Sequence, residues 1–392
     1  MITKALRVRL YPNENQKVLL EKHFGANRFI WNYFLQKRTE YYAESRKNGK
    51  PQGLNYFKTC KILTGLKKEK NWLYEISNAS LQQTLRKLDN AFTAFFRKNS
   101  DYPTFRSKKD NQYFIIPENA KGIGNRLFIP KFREGIKFRD KHLIPEPIDQ
   151  IIITRQVNRY YASICYESDH KPRKGNKKNG IDVGIKVFAT LSDGIQVKNP
   201  RHINSLEKRI KKQQQKLARK EKGSNNRKKQ IIRIEKLYQE LSDKRTDFLH
   251  KVSTAITKLS DTIVMESLNI QGMMQNHHLA KAIADVSWYR FKQMLQYKSE
   301  WNNIDFIEIG MWEASSRTCS RCGWINHELK LSDRMFICKS CGLEIDRDLN
   351  AAINIRNIGL IKVGLDRPEF TPVEIATSAE LFNRRDLRDV GQ

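Results

Sequence analysis

Four cysteines and three carboxylates are the residues of this sequence whose type and spacing could do chemistry. Cys319-Ser320-Arg321-Cys322 is followed, after fifteen residues, by Cys338-Lys339-Ser340-Cys341. This Cys-x2-Cys, loop, Cys-x2-Cys order is that of a four-cysteine zinc site, because a two-residue spacer turns both sulfurs of a knuckle toward one metal. Gly323 and Gly342 directly follow the second cysteine of each pair, where a tight turn needs a permissive backbone. Two matched knuckles with matched glycines favour zinc over two redox-active Cys-x-x-Cys pairs. Cys60 and Cys165 stand alone in apolar surroundings and read as buried thiols.

The carboxylates are Asp182, Glu266 and Asp348. Asp182 is embedded in the apolar strand Gly180-Ile181-Asp182-Val183-Gly184-Ile185-Lys186. An acid inside a buried strand is costly unless it binds something. Thr262-Ile263-Val264-Met265-Glu266 is a short strand ending in a carboxylate, and Asp346-Arg347-Asp348-Leu349-Asn350-Ala351-Ala352 begins a helix. A ribonuclease-H-like fold gathers such positions at one end of its sheet. Acids brought together repel one another and resist burial. A pair of divalent cations ~3.5–4 Å apart relieves this, and can activate water and stabilise the leaving oxygen of a phosphodiester. All-oxygen ligands suit magnesium better than zinc. The chain holds 42 acidic residues, so spacing alone leaves other choices open. Asp346 is the nearest of them.

Several elements must position these groups. Leu6, Val8 and Leu10 alternate with Arg7 and Arg9, which predicts a half-buried strand with a cationic face. Asn13 can cap a helix to about Phe24, Gly25 breaks the pattern, and a second helix runs on toward Arg46. A further helix follows Asn78. Residues 11–100 thus read as a small helical unit inserted after the first strand, its aromatics mostly core. Short strands are predicted at 111–116, 126–130, 151–157 and 160–166, with basic residues interleaved. Trp288 to Trp301 reads as a helix and Ile304 to Trp312 as a strand.

Charge narrows the function class. The 392 residues carry 73 Lys and Arg against 42 Asp and Glu, a net charge of +31. Such an excess argues for a polyanionic partner, and for nucleic acid over an anionic membrane surface. Residues 201–250 hold sixteen basic and six acidic residues on two helical stretches divided at Gly223. That block reads as a phosphate-backbone contact. The last 32 residues hold five basic and six acidic residues and read as a flexible tail. No apolar run approaches the ~20 residues that span a bilayer. No signal peptide is evident.

Gly180–Lys186, Val264–Ile270, Ser315–Gly323 and Asp348–Ile355 together resemble the TnpB (OrfB) family of insertion sequences, which is related to type V CRISPR effectors. Arg28 and Asn32, the run Asp101-Tyr102-Pro103-Thr104-Phe105-Arg106, and Leu268–Ala280 match further family motifs. The resemblance covers the chain to about residue 360. It implies an α+β multidomain architecture. A wedge-type β-barrel (1–10 and 101–172) would carry the helical recognition unit (11–100). A RuvC-type, RNase H-like α/β nuclease domain (173–314 and 343–360) would embed a zinc ribbon (315–342), leaving the tail at 361–392. It implies an RNA-guided, magnesium-dependent DNA endonuclease that cuts double-stranded DNA next to a short flanking motif. Asp182, Glu266 and Asp348 would be catalytic and hold two magnesium ions. Cys319, Cys322, Cys338 and Cys341 would hold one structural zinc. Asp348 is preferred over Asp346 because the family's Asp-x-Asn-Ala-Ala run starts there. The partners would be a noncoding guide RNA from the same element, one chain per RNA, and target DNA. The location would be cytoplasmic, on a prokaryotic nucleoid.

Competing readings are an RNA-guided repressor without cleavage, and a resolvase or transposase that works without RNA. The intact acids speak against the first. Among secondary residues, Arg347 would touch the scissile phosphate or pair with an acid. His277 and His278 suit a loop or RNA-facing role better than metal. Ser315 and Ser316 read as ribbon approach or backbone contacts, and Trp324 as stacking on a base or packing on the knuckle.

Overall fold

The computed structural model describes residues 2–49, 52–139, 144–172, 175–269, 272, 275, 285–311, 313–330, 332–365 and 376–377. His277 and His278 lie outside them. The chain divides into two units, 1–169 and 170–392.

In the first unit, β1 (Ile2–Tyr11) buries Val8 and Leu10 and exposes Arg7 and Arg9, as its alternation predicts. Asn13 caps α1 (Glu14–Lys47) in a reciprocal pair with Gln16, each side chain accepting the other's backbone N–H. The helix runs unbroken through Gly25, against the sequence expectation. Glycine inside a helix costs about 1 kcal/mol, and the burial of Leu20, Phe24, Ala26 and Ile30 around it outweighs that. α2 (Tyr56–Glu69) and α3 (Asn78–Phe96) pack Leu63, Leu66, Leu81, Leu85 and Leu88 against Ile30, Phe34 and Leu35 of α1. Cys60 is only partly buried at the edge of this core, and Cys165 only partly buried on the later sheet, a small correction to both.

The family-motif residues of α1 turn out to be braces. Arg28 donates to Gln112 Oε1 at 2.6 Å. Asn32 donates to the Arg106 carbonyl at 2.9 Å and accepts the Arg106 N–H at 2.7 Å. Trp31 Nε1 donates to the Thr104 carbonyl at 2.9 Å, with the Arg106 guanidinium 3.5 Å over its ring. Two motifs some seventy residues apart therefore meet.

The remaining strands are β2 (Gln112–Ile116), β3 (Lys121–Ile123), β4 (Arg126–Ile129), β5 (Phe132–Phe138), β6 (Ile148–Gln156) and β7 (Arg159–Ser168). With β1 they form an antiparallel sheet in the order β2-β6-β7-β1-β5-β4-β3. Among the described residues no ladder joins edges β2 and β3, so by its hydrogen bonds the expected barrel is an open sheet. Leu20 and Phe24 of α1 complete its core with Phe114, Ile136, Ile153 and Ile164. β3 and β5 escape the sequence reading because Gly122 and the Arg133-Glu134-Gly135 run interrupt their alternation.

A buried histidine joins these layers. The Ser77 N–H donates to His23 Nε2 at 3.2 Å, and His23 Nδ1 lies 2.8 Å from the Leu19 carbonyl. These contacts assign the proton to Nδ1. Burial pushes its pKa down from 6.5 to about 4. The unfolded chain therefore takes up a proton below about pH 6.5 that the folded unit refuses. Stability is lost as pH falls from 6.5 toward 4, by at most ~3 kcal/mol. The melting temperature of the full chain should fall over this window less steeply in His23→Phe than in the wild type. Equal slopes would refute the assignment.

In the second unit, β8 (Lys177–Val183), β9 (Val187–Leu191) and β10 (Ile195–Lys198) form a meander. α4 (His202–Ala218) and α5 (Asn225–Leu259) follow, joined through Leu206, Ile210, Leu237 and Leu241. Lys208, Lys211, Lys212, Lys228, Lys229 and Arg233 are exposed on this pair. Next come β11 (Ser260–Glu266), α6 (Trp288–Asn302), β12 (Asp305–Ile309), the small antiparallel pair β13 (Met335–Ile337) and β14 (Glu344–Asp346), and α7 (Arg347–Lys362). The tail expected to be flexible contributes β15 (Ala376–Thr377), parallel to β10. The sheet order is β12-β11-β8-β9-β10-β15, with β8, β11 and β12 parallel. Among the described residues no helix is long and apolar enough to cross a membrane.

Strand alternation decides which helix covers which face. Ile181, Ile263 and Met265 pack with Val252 and Ile256 of α5 and with Phe291 and Leu295 of α6. Val264 packs instead with Ile355 of α7. Gly180, Asp182, Val264 and Glu266 therefore share the α7 face.

Candidate functional site

Parallel pairing sets Gly180 opposite Val264 and Ile181 opposite Met265. Asp182 and Glu266 follow these pairs on the two neighbouring strands, on the same face and at the same end. α7 supplies the third acid, and two glycines let it come close. A Cβ on Gly180 would lie 2.1 Å from the Ala352 carbonyl oxygen and 2.5 Å from the Arg356 nitrogen. A Cβ on Gly359 would lie 2.3 Å from Val264 Cγ1. The helix backbone thus rests on the sheet, and Asp348 in its first turn comes to the end where Asp182 and Glu266 stand.

Asp346 has a different task. Its carboxylate caps α7, accepting the backbone N–H groups of Asp348 and Leu349 at 3.0 Å each. Asp348 takes no part in the cap and pairs with arginines instead. Arg347 pairs with Asp348 Oδ1 at 3.1 Å, and Arg334 approaches Asp348 Oδ2 at 4.0 Å.

Burial first, then the charges of Asp348 and Glu266, push the Asp182 carboxyl well above the usual carboxylate range, with Arg347 opposing. Burial also raises Glu266, against the hydrogen bond from Ser315. Such a cluster is short of positive charge at its centre. All its donors are hard oxygens, which fits magnesium. Asp182 and Asp348, but not Glu266, line a cleft of ≈ 620 Å³ together with Ser316 and six cations: Lys186, Arg201, Arg317, Lys330, Arg334 and Arg347. A cleft that carries two carboxylates among six cations has the charge to attract a polyanion such as a phosphodiester backbone.

The cysteines form the second site. One sulfur from each of Cys319, Cys322, Cys338 and Cys341 lies within 4.8 Å of every other. Cys319 and Cys341 sulfurs are 3.7 Å apart, and Cys322 and Cys338 sulfurs 3.5 Å. Tetrahedral sulfurs at ~2.3 Å from zinc would stand about 3.8 Å apart, so the set fits that ion. The knuckles are equivalent in their backbones. Gly323 and Gly342 have φ of +81° and +71° and donate to the Cys319 and Cys338 carbonyls at 3.0 Å each. Trp324 packs into the small core of Phe336, Ile345, Leu349 and Ile353, on the knuckle.

Three features lie beyond the sequence reading. Ser315 donates its hydroxyl to Glu266 Oε1 at 2.5 Å, where only a ribbon-approach or backbone role was expected. Asn350 and Asn354 are buried and bond the segment leading into Cys319. Gly180 and Gly359 set the depth of α7. The available signal was the Asn350, Asn354 pair, two amides four residues apart among Leu349, Ala351, Ala352, Ile353 and Ile355.

A family described as "Probable transposase" matches residues 163–277, a "Cas12f1-like, TNB domain" matches 288–355, and a "Helix-turn-helix domain" matches 1–47. In this structure the last span forms β1 and one continuous helix. A Streptomyces pristinaespiralis protein named "Putative RNA-guided DNA endonuclease" is 34% identical over 370 residues, covering 92% of this chain and 90% of its own. InsQ of Escherichia coli (strain K12), named in the same words, is 29% identical over 377 residues, covering 91% and 92%. The CRISPR-associated endodeoxyribonuclease Cas12f1 of Sulfoacidibacillus thermotolerans is 29% identical over 340 residues, covering 72% and 77%.

Proposed function

Because this chain belongs to the TnpB (OrfB) family of insertion-sequence proteins, we propose that it is an RNA-guided DNA endonuclease cutting double-stranded DNA beside a short flanking motif. The observation that carries the proposal is the nearness of Asp348 and Glu266 to Asp182 at one sheet end, with Asp182 and Asp348 on a cation-lined cleft. A repressor that only binds has no use for three mutually repelling acids in that place.

Asp182, Glu266 and Asp348 would hold the magnesium ions. When bound, magnesium activates the attacking water and stabilises the leaving oxygen. The chain's own groups do the rest. Ser315 orients Glu266. Arg347 and Arg334 hold Asp348 while its charge is uncompensated, and with Arg317 and Lys330 they line the strand's path. The four cysteines would hold a structural zinc, and the ribbon they fold would guide DNA into the cleft. The exposed cations of α4 and α5 suit a nucleic-acid backbone. Sequence choice would come from pairing between guide RNA and target strand, with the protein reading the flanking motif and duplex shape, a division of labour known in a different effector type. The domain scheme drawn from the sequence goes with this reading: wedge, helical recognition unit, nuclease and embedded ribbon.

The test uses full-length protein purified with RNA transcribed from its own locus. In magnesium it should linearise a plasmid carrying the matched target and flanking motif, and do nothing in EDTA. Matched binding without cutting would replace the endonuclease with the repressor, and RNA-independent cutting of branched DNA would replace it with a resolvase. The same preparation should hold one zinc per chain by metal analysis. A clearly substoichiometric value in fresh protein would sink the ribbon.

A further inference from the structure

We propose that Ser315 is a positioning residue for Glu266, held there by Asn350 and Asn354, so that the four-cysteine cluster and the carboxylate site assemble as one body. This rests on the metal-site reading above. Ser315 is 6% exposed, and its hydroxyl donates to Glu266 Oε1 at 2.5 Å. The other carboxylate oxygen is left for a cation.

Ser315 lies in a turn segment, between β12 and the first knuckle, that belongs to no helix or strand. Such a segment orients a side chain only if it is pinned. The pins are two amides one helical turn apart on α7. Asn354 Nδ2 donates to the carbonyls of Ser315 at 2.7 Å and Thr318 at 2.6 Å. Asn350 Nδ2 donates to the Thr318 carbonyl at 2.8 Å, and its Oδ1 accepts the Ser320 N–H at 2.9 Å. Asn350 and Asn354 are 0% and 5% exposed. Buried amides are costly unless bonded, and these four bonds all go to the stretch from Ser315 to Ser320. A helix that needed only to pack would carry leucine or alanine there.

The connectivity closes a loop. Asp348 and both asparagines share α7. The pinned stretch contains Cys319, the first ligand of the cluster. Ser315, at its start, touches Glu266 on β11. Disturbing any link should be felt as poorer cation binding at the carboxylates, because groups that orient a metal ligand typically contribute 10–100-fold in affinity.

The experiment titrates full-length protein with Mn²⁺ alone, by calorimetry, without RNA or DNA. Ser315→Ala should weaken Mn²⁺ binding about tenfold, with a metal-free melting temperature within about 2 °C of wild type. Ser315→Thr keeps the hydroxyl and should recover most of the affinity. Asn354→Leu keeps the volume, loses the pins, and should repeat the Ser315→Ala loss. A Ser315→Ala affinity within about twofold of wild type overturns the positioning role. If Ser315→Ala fails to fold, Asn354→Leu decides by the same two outcomes. Asp182→Asn separates the two claims. Unchanged Mn²⁺ binding in that variant removes the metal site itself. Lost binding there with intact binding in Ser315→Ala removes only the role of Ser315.

Discussion

Asp182→Ala should abolish plasmid cleavage, by roughly three orders of magnitude or more, and should leave guide RNA bound. A cation position at a phosphodiester supplies several kcal/mol to the transition state, and each 1.36 kcal/mol is about tenfold in rate. Asp182 is buried and feels the charges of both Asp348 and Glu266, so its loss would remove the acid that the other two have in common as a neighbour. RNA affinity should hold, because the exposed cations of α4 and α5 are untouched. A second effect has the opposite sign. Without divalent cation, Asp182 is a buried carboxyl repelled by two others. The variant should therefore melt at the same temperature as the wild type or higher, the usual relation between stability and a strained site. Cleavage within about tenfold of wild type, measured over single turnovers, would remove Asp182 from the chemistry.

Gly180→Ala carries the second large effect, from one methyl group. The added carbon would lie 2.1 Å from the Ala352 carbonyl oxygen, a backbone atom that cannot swing aside. α7 must lift from β8, at ~1–3 kcal/mol or more. Asp348 rides on that helix, so cleavage should fall well beyond what the stability loss explains. Gly359→Ala meets both methyls of buried Val264, Cγ1 at 2.3 Å and Cγ2 at 2.8 Å, and should also unseat α7, less sharply because the obstacle is a side chain rather than backbone. Gly25→Ala is the control. Nothing lies closer than 4.0 Å to its new carbon, and it should stabilise the first unit by about 0.5–1 kcal/mol. Melting curves and single-turnover rates for the three variants test the order. A Gly180→Ala protein with wild-type melting and cleavage would show that α7 is not seated by backbone contact.

What could be read in advance follows from the range of the forces involved. The strand ending at Glu266 and the helix starting beside Asp346 are local patterns, and the structure has both. The cysteine knuckles carry their own spacing and glycines. By contrast, Gly25 looked like a stop because a glycine's helix cost is local, whereas the burial that overrides it comes from α2, α3 and the sheet. β3 is three residues long and exists only by pairing with β4. The Ser315–Glu266 contact joins residues 49 positions apart. No spacing rule reaches that far. Asn350 and Asn354 were visible as polar residues in the apolar run from Leu349 to Ile355, but their partners were not. The preference for Asp348 over Asp346 came from the Asp348-Leu349-Asn350-Ala351-Ala352 run, whereas the capping role of Asp346 is visible only in the backbone geometry.

α7 also limits how this chain can change its length. Its Asp348, Asn350, Asn354 and Gly359 meet an arginine, the Ser315–Ser320 stretch and β11, and each contact depends on the angle at which the residue leaves the helix axis. One inserted or deleted residue turns everything beyond it by about 100°. An indel after Asp348 would keep every chemical group and point the asparagines and Gly359 at the wrong partners. Substitution can be graded here, but insertion cannot. The exposed turn at Gly223, where no side chain crowds the backbone, is the contrasting place, where a tag or an inserted domain should leave the register of the nuclease site untouched.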